Sequence, residues 1–324
     1  MKKTLIALIA FCCLSVLASS AFAAGTKVKM AFATWVGYGP LYIAKEKGFF
    51  EKHGLDVDLI IIDDEAQYAA AMVSGNIDAL GNVLDREVIH FAKGAPETVL
   101  FAMDESAGAD GIIAVREIKA VSDLKGQAIG LDKSSSSYFF LLTALQKAGL
   151  EEKDVTIHEM EASDAGTAFI AGRLDAAITW EPWLSKVSTR EGGHVLASSK
   201  EFPRTIVDIV TMRNDFIAEH PEAPEAMTRA WFEAIEWYRS NPNEGNAIMA
   251  KHLGETAESV AEMAAGVSFF DKAGNLAFFD KSTDSNIFEV AERARTFWSA
   301  KGIITKPVDV NALVTDKYVT GAAE

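Results

Sequence analysis

Apolar and polar positions alternate along this chain in blocks that read as a regular series of strands and helices. Short apolar, largely β-branched runs predict strands near 27–33, 57–62, 77–83, 98–103, 111–115, 127–131, 155–160, 174–180 and 205–212. Runs without internal polar alternation suit parallel strands covered on both faces. Beyond Met212 the period changes. Met227, Trp231, Ile235 and Tyr238 recur at steps of 4, 4 and 3, which sets them on one buried helical stripe, with Pro224 in the first turn and Asn241-Pro242-Asn243 ending the run.

The block pattern occurs twice. Ala71-Met72-Val73-Ser74-Gly75-Asn76-Ile77-Asp78-Ala79 is echoed by Ala168-Phe169-Ile170-Ala171-Gly172-Arg173-Leu174-Asp175-Ala176, each reading as a helix end, a glycine turn and a buried strand. Gly54-Leu55 and Gly149-Leu150 repeat at nearly the same offset. Two matches in register predict paired α/β lobes on one strand-helix-strand-helix-strand plan. Joining them takes two crossings, expected at 112–116 outward and 206–212 on the return. The expected division is residues 24–112 plus 213–324 in lobe 1 and 113–212 in lobe 2, with a hinged cleft between them.

At the start, Lys2 and Lys3 precede an apolar run at 5–17, and Ala21-Phe22-Ala23 fits a small-x-small cleavage site. This reads as a secretory signal peptide over 1–23, cut after Ala23, and the run is too short for a permanent membrane span. The expected location is the periplasm. Cys12 and Cys13, the chain's two cysteines, both fall in that segment. The mature chain would then have no thiol for a disulfide, a nucleophile, zinc or an iron-sulfur cluster. The formal net charge of −15 becomes −17 without the two lysines, which disfavours nucleic acid and anionic lipid as partners.

Ligands of open α/β sheets collect beyond the carboxyl ends of strands, where helix N-termini also point. The candidates on that rule are Trp35 and Tyr38 after the first strand, Asn82 and Asp85 after the third, and Asp104 after the fourth. Ser135, Ser136 and Ser137 open a helix that can receive an anion, and Trp180 and Glu181 close the second copy of the repeat. Asp208 is an acid in an apolar strand and demands a positive partner, either Arg204 or a ligand amine. No catalytic set is expected. His53, His90, His158, His194, His220 and His252 lack metal-ligand spacing, Tyr42 stands where a dinucleotide fingerprint needs its last glycine, and neither Gly-x-Ser-x-Gly nor a Walker motif occurs. No cofactor is expected.

Residues 37–50, Gly-Tyr-Gly-Pro-Leu-Tyr-Ile-Ala-Lys-Glu-Lys-Gly-Phe-Phe, followed by Gly54-Leu55-Asp56-Val57, resemble the opening of periplasmic binding proteins in the nitrate/sulfonate/taurine group of ABC importers. Ser74-Gly75-Asn76-Ile77-Asp78, residues 123–130 and Thr179-Trp180-Glu181-Pro182-Trp183 add to the resemblance. It implies a two-lobed type II binding fold, a monomer, a small-molecule ligand, and delivery to a membrane permease. In taurine-like members an acid near the return crossing receives the ammonium, and Asp208 matches that position. Asp85 and Glu181 are departures that favour a ligand bearing an amine or guanidinium, or a zwitterion, over nitrate, an alkanesulfonate or a pyrimidine. The competing classes are an enzyme on the same fold and a ligand-sensing domain. The cysteine-free mature chain argues against the thiol-dependent enzymes of that fold.

Overall fold

The computed structural model describes residues 25–323, so the expected signal segment lies outside the described residues. The strands are β1 (Thr26–Phe32), β2 (Leu55–Ile61), β3 (Ala79–Val83), β4 (Glu97–Ser106), β5 (Asp110–Ala114), β6 (Ala128–Leu131), β7 (Thr156–Glu159), β8 (Ala176–Trp180), β9 (His194–Ser198), β10 (Val207–Arg213) and β11 (Val267–Phe269). Six form one sheet in the order β11-β4-β10-β3-β1-β2, and five form a second in the order β7-β6-β8-β5-β9. The helices are α1 (Gly39–Glu46), α2 (Phe49–Lys52), α3 (Tyr68–Val73), α4 (Leu84–Ala92), α5 (Ser136–Lys147), α6 (Ala162–Ile170) and α7 (Asn214–Glu219). They continue as α8 (Ala223–Ser240), α9 (Pro242–Leu253), α10 (Ala257–Ala264), α11 (Lys272–Phe279), α12 (Ile287–Ala300) and α13 (Lys317–Ala323).

The repeat is visible as matching topology. β1 lies parallel between β2 and β3, and β6 lies parallel between β7 and β8. The helix before the third strand of each set ends at a glycine in the left-handed region, Gly75 at φ 72° and Gly172 at φ 74°. A side chain bearing Cβ is strained there, which explains why both copies keep glycine at the turn.

Two expectations are corrected. The sheets are mixed, because β10 runs antiparallel to both β3 and β4, and β5 antiparallel to both β8 and β9. Continuous apolar sequence reports that both faces are covered, and it carries no information about direction. The crossings also lie elsewhere. The chain leaves the first sheet after Ser106 and enters the second at Asp110, then leaves the second after Ser198 and rejoins the first at Val207. The stretches 112–116 and 206–212, read as crossings, instead hold the fully buried strand residues 112–114 and 207–212. By sheet membership, therefore, β10 goes with the first sheet and β5 with the second. The short strands β9 and β11 are additions to the sequence reading.

The C-terminal helices cover the first sheet. Met227, Trp231 and Ile235 of α8 are buried as the stripe requires while Tyr238 is half-buried, and Trp231 stacks on Phe101 of β4 at 5.8 Å between ring centres while its indole N–H donates to Phe270 O at 2.9 Å. From α12, Phe297 and Trp298 meet Phe139 of α5 at 4.8 and 5.5 Å, so a C-terminal helix also braces the second lobe. Trp231→Ala is expected to lower unfolding free energy by about 3–5 kcal/mol, through the cavity and the orphaned carbonyl, as read by equilibrium urea denaturation.

Candidate ligand-binding cleft

The loop after β1 turns sharply at Gly37, where a Cβ would come within 2.1 Å of the Trp35 indole nitrogen and 2.3 Å of an Asp104 carboxylate oxygen. That close approach brings Trp35 and Tyr38 over the ends of the central strands. Together with Ala33, Val83, Ile206 and Asp208 they form one wall of a cavity whose other wall is Asp110, Ser136 and Trp180. The walls leave the centre of a water molecule about 20 Å³, so the lobes are closed on each other. A direct bond spans them, from Trp180 Nε1 to Thr34 O at 3.2 Å.

The floor is acidic. Asp104, Asp110 and Asp208 are 0%, 3% and 2% exposed. Asp208 and Asp104 are cross-strand partners on β10 and β4, and their carboxyls are within hydrogen-bonding reach of each other. Asp208 accepts the Tyr38 hydroxyl, and Asp104 Oδ1 accepts Trp35 Nε1 at 3.4 Å, while Asp104 Oδ2 is buried without a donor. Asp110 is hydrogen-bonded by Ser106. Burial pushes Asp208 up to about 7 and Asp110 up to about 8, and burial together with the Asp208 charge pushes Asp104 well above the carboxylate range. Among the described residues no lysine, arginine or histidine figures among the groups acting on these three. Asp104 and Asp208, within reach of each other, titrate as a pair rather than singly.

The crossings meet at Ser199. Its Oγ pairs with Ser106 Oγ at 2.7 Å and accepts the Gly108 amide at 2.8 Å, so the outgoing and returning segments are stitched at one point beside Asp110.

Of the residues expected from the strand-end rule, Trp35, Tyr38, Ser136, Trp180 and Asp208 line the cavity, and Asp104 lies directly beneath it. Ser135 is the N-cap of α5, accepting the Ser137 amide at 3.3 Å, and Ser137 Oγ is buried without a partner. Three residues point elsewhere. Asn82 donates to Glu87 at 2.5 Å; Asp85 accepts Trp298 Nε1 at 3.1 Å and sits 3.4 Å from Arg86 Nε; Glu181 accepts the Ser185 amide and hydroxyl at 3.0 and 2.6 Å, tying down the following turn. None of the three lines the cavity, although Asp85 Oδ1 is buried without a partner and the Asp85 and Glu181 charges act on Asp208 and Asp110 respectively. Arg204 pairs with Glu105 at 2.9 Å and leaves Asp208 alone. Sequence reasoning missed Asp110, although a lone acid heading the apolar run Gly111-Ile112-Ile113-Ala114 is the same anomaly that marks Asp208.

Comparison with known proteins fits this geometry. Residues 23–254 match the NMT1-like family. This chain belongs to that family. A protein of Brucella abortus (strain 2308), described as a binding protein, is 32% identical over 244 residues, covering 74% of this chain and 76% of the relative. The taurine-binding periplasmic protein of Escherichia coli (strain K12) is 25% identical over 236 residues, covering 71% and 72%. The alkanesulfonate-binding protein of Xanthomonas axonopodis pv. citri, solved with MOPS, superposes with a TM-score of 0.76 over 90% of this chain and 99% of its own, at 19% identity. The NMT1-like chain thus has the periplasmic-binding-protein fold, and these relatives are named as binding proteins rather than enzymes. No helix among the described residues is long and apolar enough to cross a membrane.

The floor sets a pH dependence whose sign is fixed. Asp110 keeps its proton to about pH 8 in the folded state, whereas an unfolded aspartate loses it near the ordinary value of 3.8. The unfolded state therefore releases its proton first, and this contribution to stability is complete below pH 3.8 and is lost as pH rises toward 8. Asp110→Asn is expected to flatten the fall in melting temperature between pH 5 and 8 and to make the ligand-free protein more stable than wild type at pH 8, by about 1–3 kcal/mol.

Proposed function

We propose that this NMT1-like chain is the solute-binding component of an ABC importer. In this reading it works as a monomer in the periplasm, closing its lobes on a small ligand and presenting the closed complex to a membrane permease. Its ligand is an organic cation or zwitterion bearing an amine or guanidinium. The observation that carries the ligand class is the buried floor of Asp104, Asp110 and Asp208, which has no cation of its own and lies under two indoles and a phenol. A cation there would remove the repulsion among the carboxylates, and Trp35 and Trp180 offer ring faces for cation–π contact. Ser136, at the N-terminus of α5, offers its hydroxyl and its backbone N–H to an anionic end, while the Ser137 and Tyr138 amides are held by Ser135, which fits a taurine-like zwitterion.

Floor and walls come from both lobes, so their joint contacts exist only on closure, and ligand binding shifts the open-closed population by that difference. Moving it from 1:99 to 99:1 takes about 5.5 kcal/mol, within reach of a few charge-assisted hydrogen bonds at about 1.5–3 kcal/mol each.

A second reading has its own support. With their raised pKa values, the floor acids are protonated below neutrality and can donate hydrogen bonds to an oxyanion, the arrangement a nitrate or simple alkanesulfonate would need. The two readings give opposite pH dependence. A cation must displace protons from the floor, so its affinity rises with pH, about tenfold per unit for each proton released; an oxyanion's affinity falls.

Thermal-shift screening of ligand-stripped mature protein at pH 6 and 8.5, against taurine, guanidine and small amines beside nitrate and alkanesulfonates, tests this. The expected result is stabilisation by cationic or zwitterionic compounds, larger at pH 8.5 and lost in Asp208→Asn and Asp110→Asn. A ligand at a hundred times its Kd adds about 2.7 kcal/mol. Stabilisation by nitrate or an alkanesulfonate alone, stronger at pH 6, would overturn the cation reading. Recovery of the ligand chemically unchanged after incubation separates a binding protein from an enzyme.

A further inference from the structure

A second cluster lies behind the cleft wall. Glu87 and His90 are three residues apart on α4 and so share one helical face, and residues 93–96 return the chain so that Glu97, the first residue of β4, meets them. One donor atom from each of the three lies within 4.8 Å of the others. Glu87 and Glu97 are 0% and 1% exposed, and the His90 side chain keeps 15% of its surface in solvent, which leaves a path inward.

Each carboxylate is half satisfied. Glu87 Oε1 accepts Asn82 Nδ2 at 2.5 Å and sits 3.0 Å from His90 Nδ1, and Glu97 Oε2 accepts Thr211 Oγ1 at 3.3 Å. The other two oxygens, Glu87 Oε2 and Glu97 Oε1, are buried with no donor. His90 is the one charge partner that acts on Glu87, and the two free oxygens can otherwise satisfy each other by sharing a proton, since neither acid has a lysine or arginine partner among the described residues. This arrangement has the layout of a metal site: inner oxygens free, outer oxygens oriented by neutral donors, and an imidazole beside them.

We propose that Glu87, His90 and Glu97 bind one divalent transition-metal ion of the Zn²⁺ type, with a water in the fourth position, fastening α4 to the first residue of β4. Two carboxylates and one imidazole suit a borderline ion better than Ca²⁺ or Mg²⁺, which prefer all-oxygen shells with more ligands. Bonds of about 2.1 Å in a tetrahedron set ligand atoms roughly 3.4 Å apart, so small rotations of the three side chains complete the site. The ion takes the place of the shared proton. None of the three residues lines the ligand cavity, so the site stands independently of the ligand assignment.

The test uses the mature chain stripped with a chelator and titrated calorimetrically with Zn²⁺, with Ca²⁺ and Mg²⁺ as controls, and with Co²⁺ to read coordination from its visible spectrum. The expected result is uptake of a single equivalent of Zn²⁺, a raised melting temperature, and a tetrahedral Co²⁺ spectrum. Glu97→Gln and His90→Gln should abolish uptake. Thr211→Val, which removes only the outer donor to Glu97, should weaken it roughly tenfold or more. Because Gln keeps a hydrogen-bonding group where Glu97 would hold its proton, Glu97→Gln should fold, as circular dichroism will show. No uptake, or uptake that Glu97→Gln leaves unchanged, overturns the proposal; the first assigns a proton-sharing pair, the second a surface pair such as His252 with Glu46.

Discussion

Three carboxyl groups cannot stay ionised side by side in a dry interior, and the arrangement of this molecule's centre follows from that constraint. Asp104, Asp110 and Asp208 come from three strands in two sheets, and they meet because the chain crosses between the sheets twice within a few residues of each other. β10 returns antiparallel between β3 and β4, which sets Asp208 beside Asp104. β5 begins immediately after the outward crossing, which sets Asp110 at the same junction. Burial and the charges of neighbouring acids raise the pKa of all three, so the charge state of each depends on its neighbours.

Much of the fold was legible in the sequence because buried strands and glycine turns are local signals. The repeated helix-glycine-strand block located Gly75 and Gly172, and the apolar runs located nine strands to within a few residues. Strand direction was not legible, since burial on both faces produces the same composition whichever way a strand runs. Edge strands such as β9, half exposed, carry too little apolar sequence to stand out.

The candidate site was readable in part, and two causes account for the rest. Collecting candidates at the carboxyl ends of strands presumes that every strand is parallel. In a mixed sheet an antiparallel strand brings its N-terminal residues to the same edge, and that is where Asp110 and Asp208 lie. The rule also says nothing about side-chain direction. Asp85 turns to the Trp298 indole, Asn82 to Glu87 and Glu181 to Ser185, each within hydrogen-bonding distance of a protein donor or acceptor that only the tertiary structure supplies. His90 illustrates the converse. It has no partner at histidine spacing in the sequence, and the residue that completes its cluster, Glu97, belongs to the next strand.

The stitching of both crossings at Ser199 has a mechanical meaning. Two connections tied at one point act as a pivot, and in a rotation about a pivot the displacement of each residue grows with its distance from the axis. The acidic floor, bonded through Ser106 to that point, lies near such an axis, and residues farther from the serines sweep wider arcs. A small angular change at the serines is thereby enlarged with distance into a larger displacement at the outer parts of each lobe.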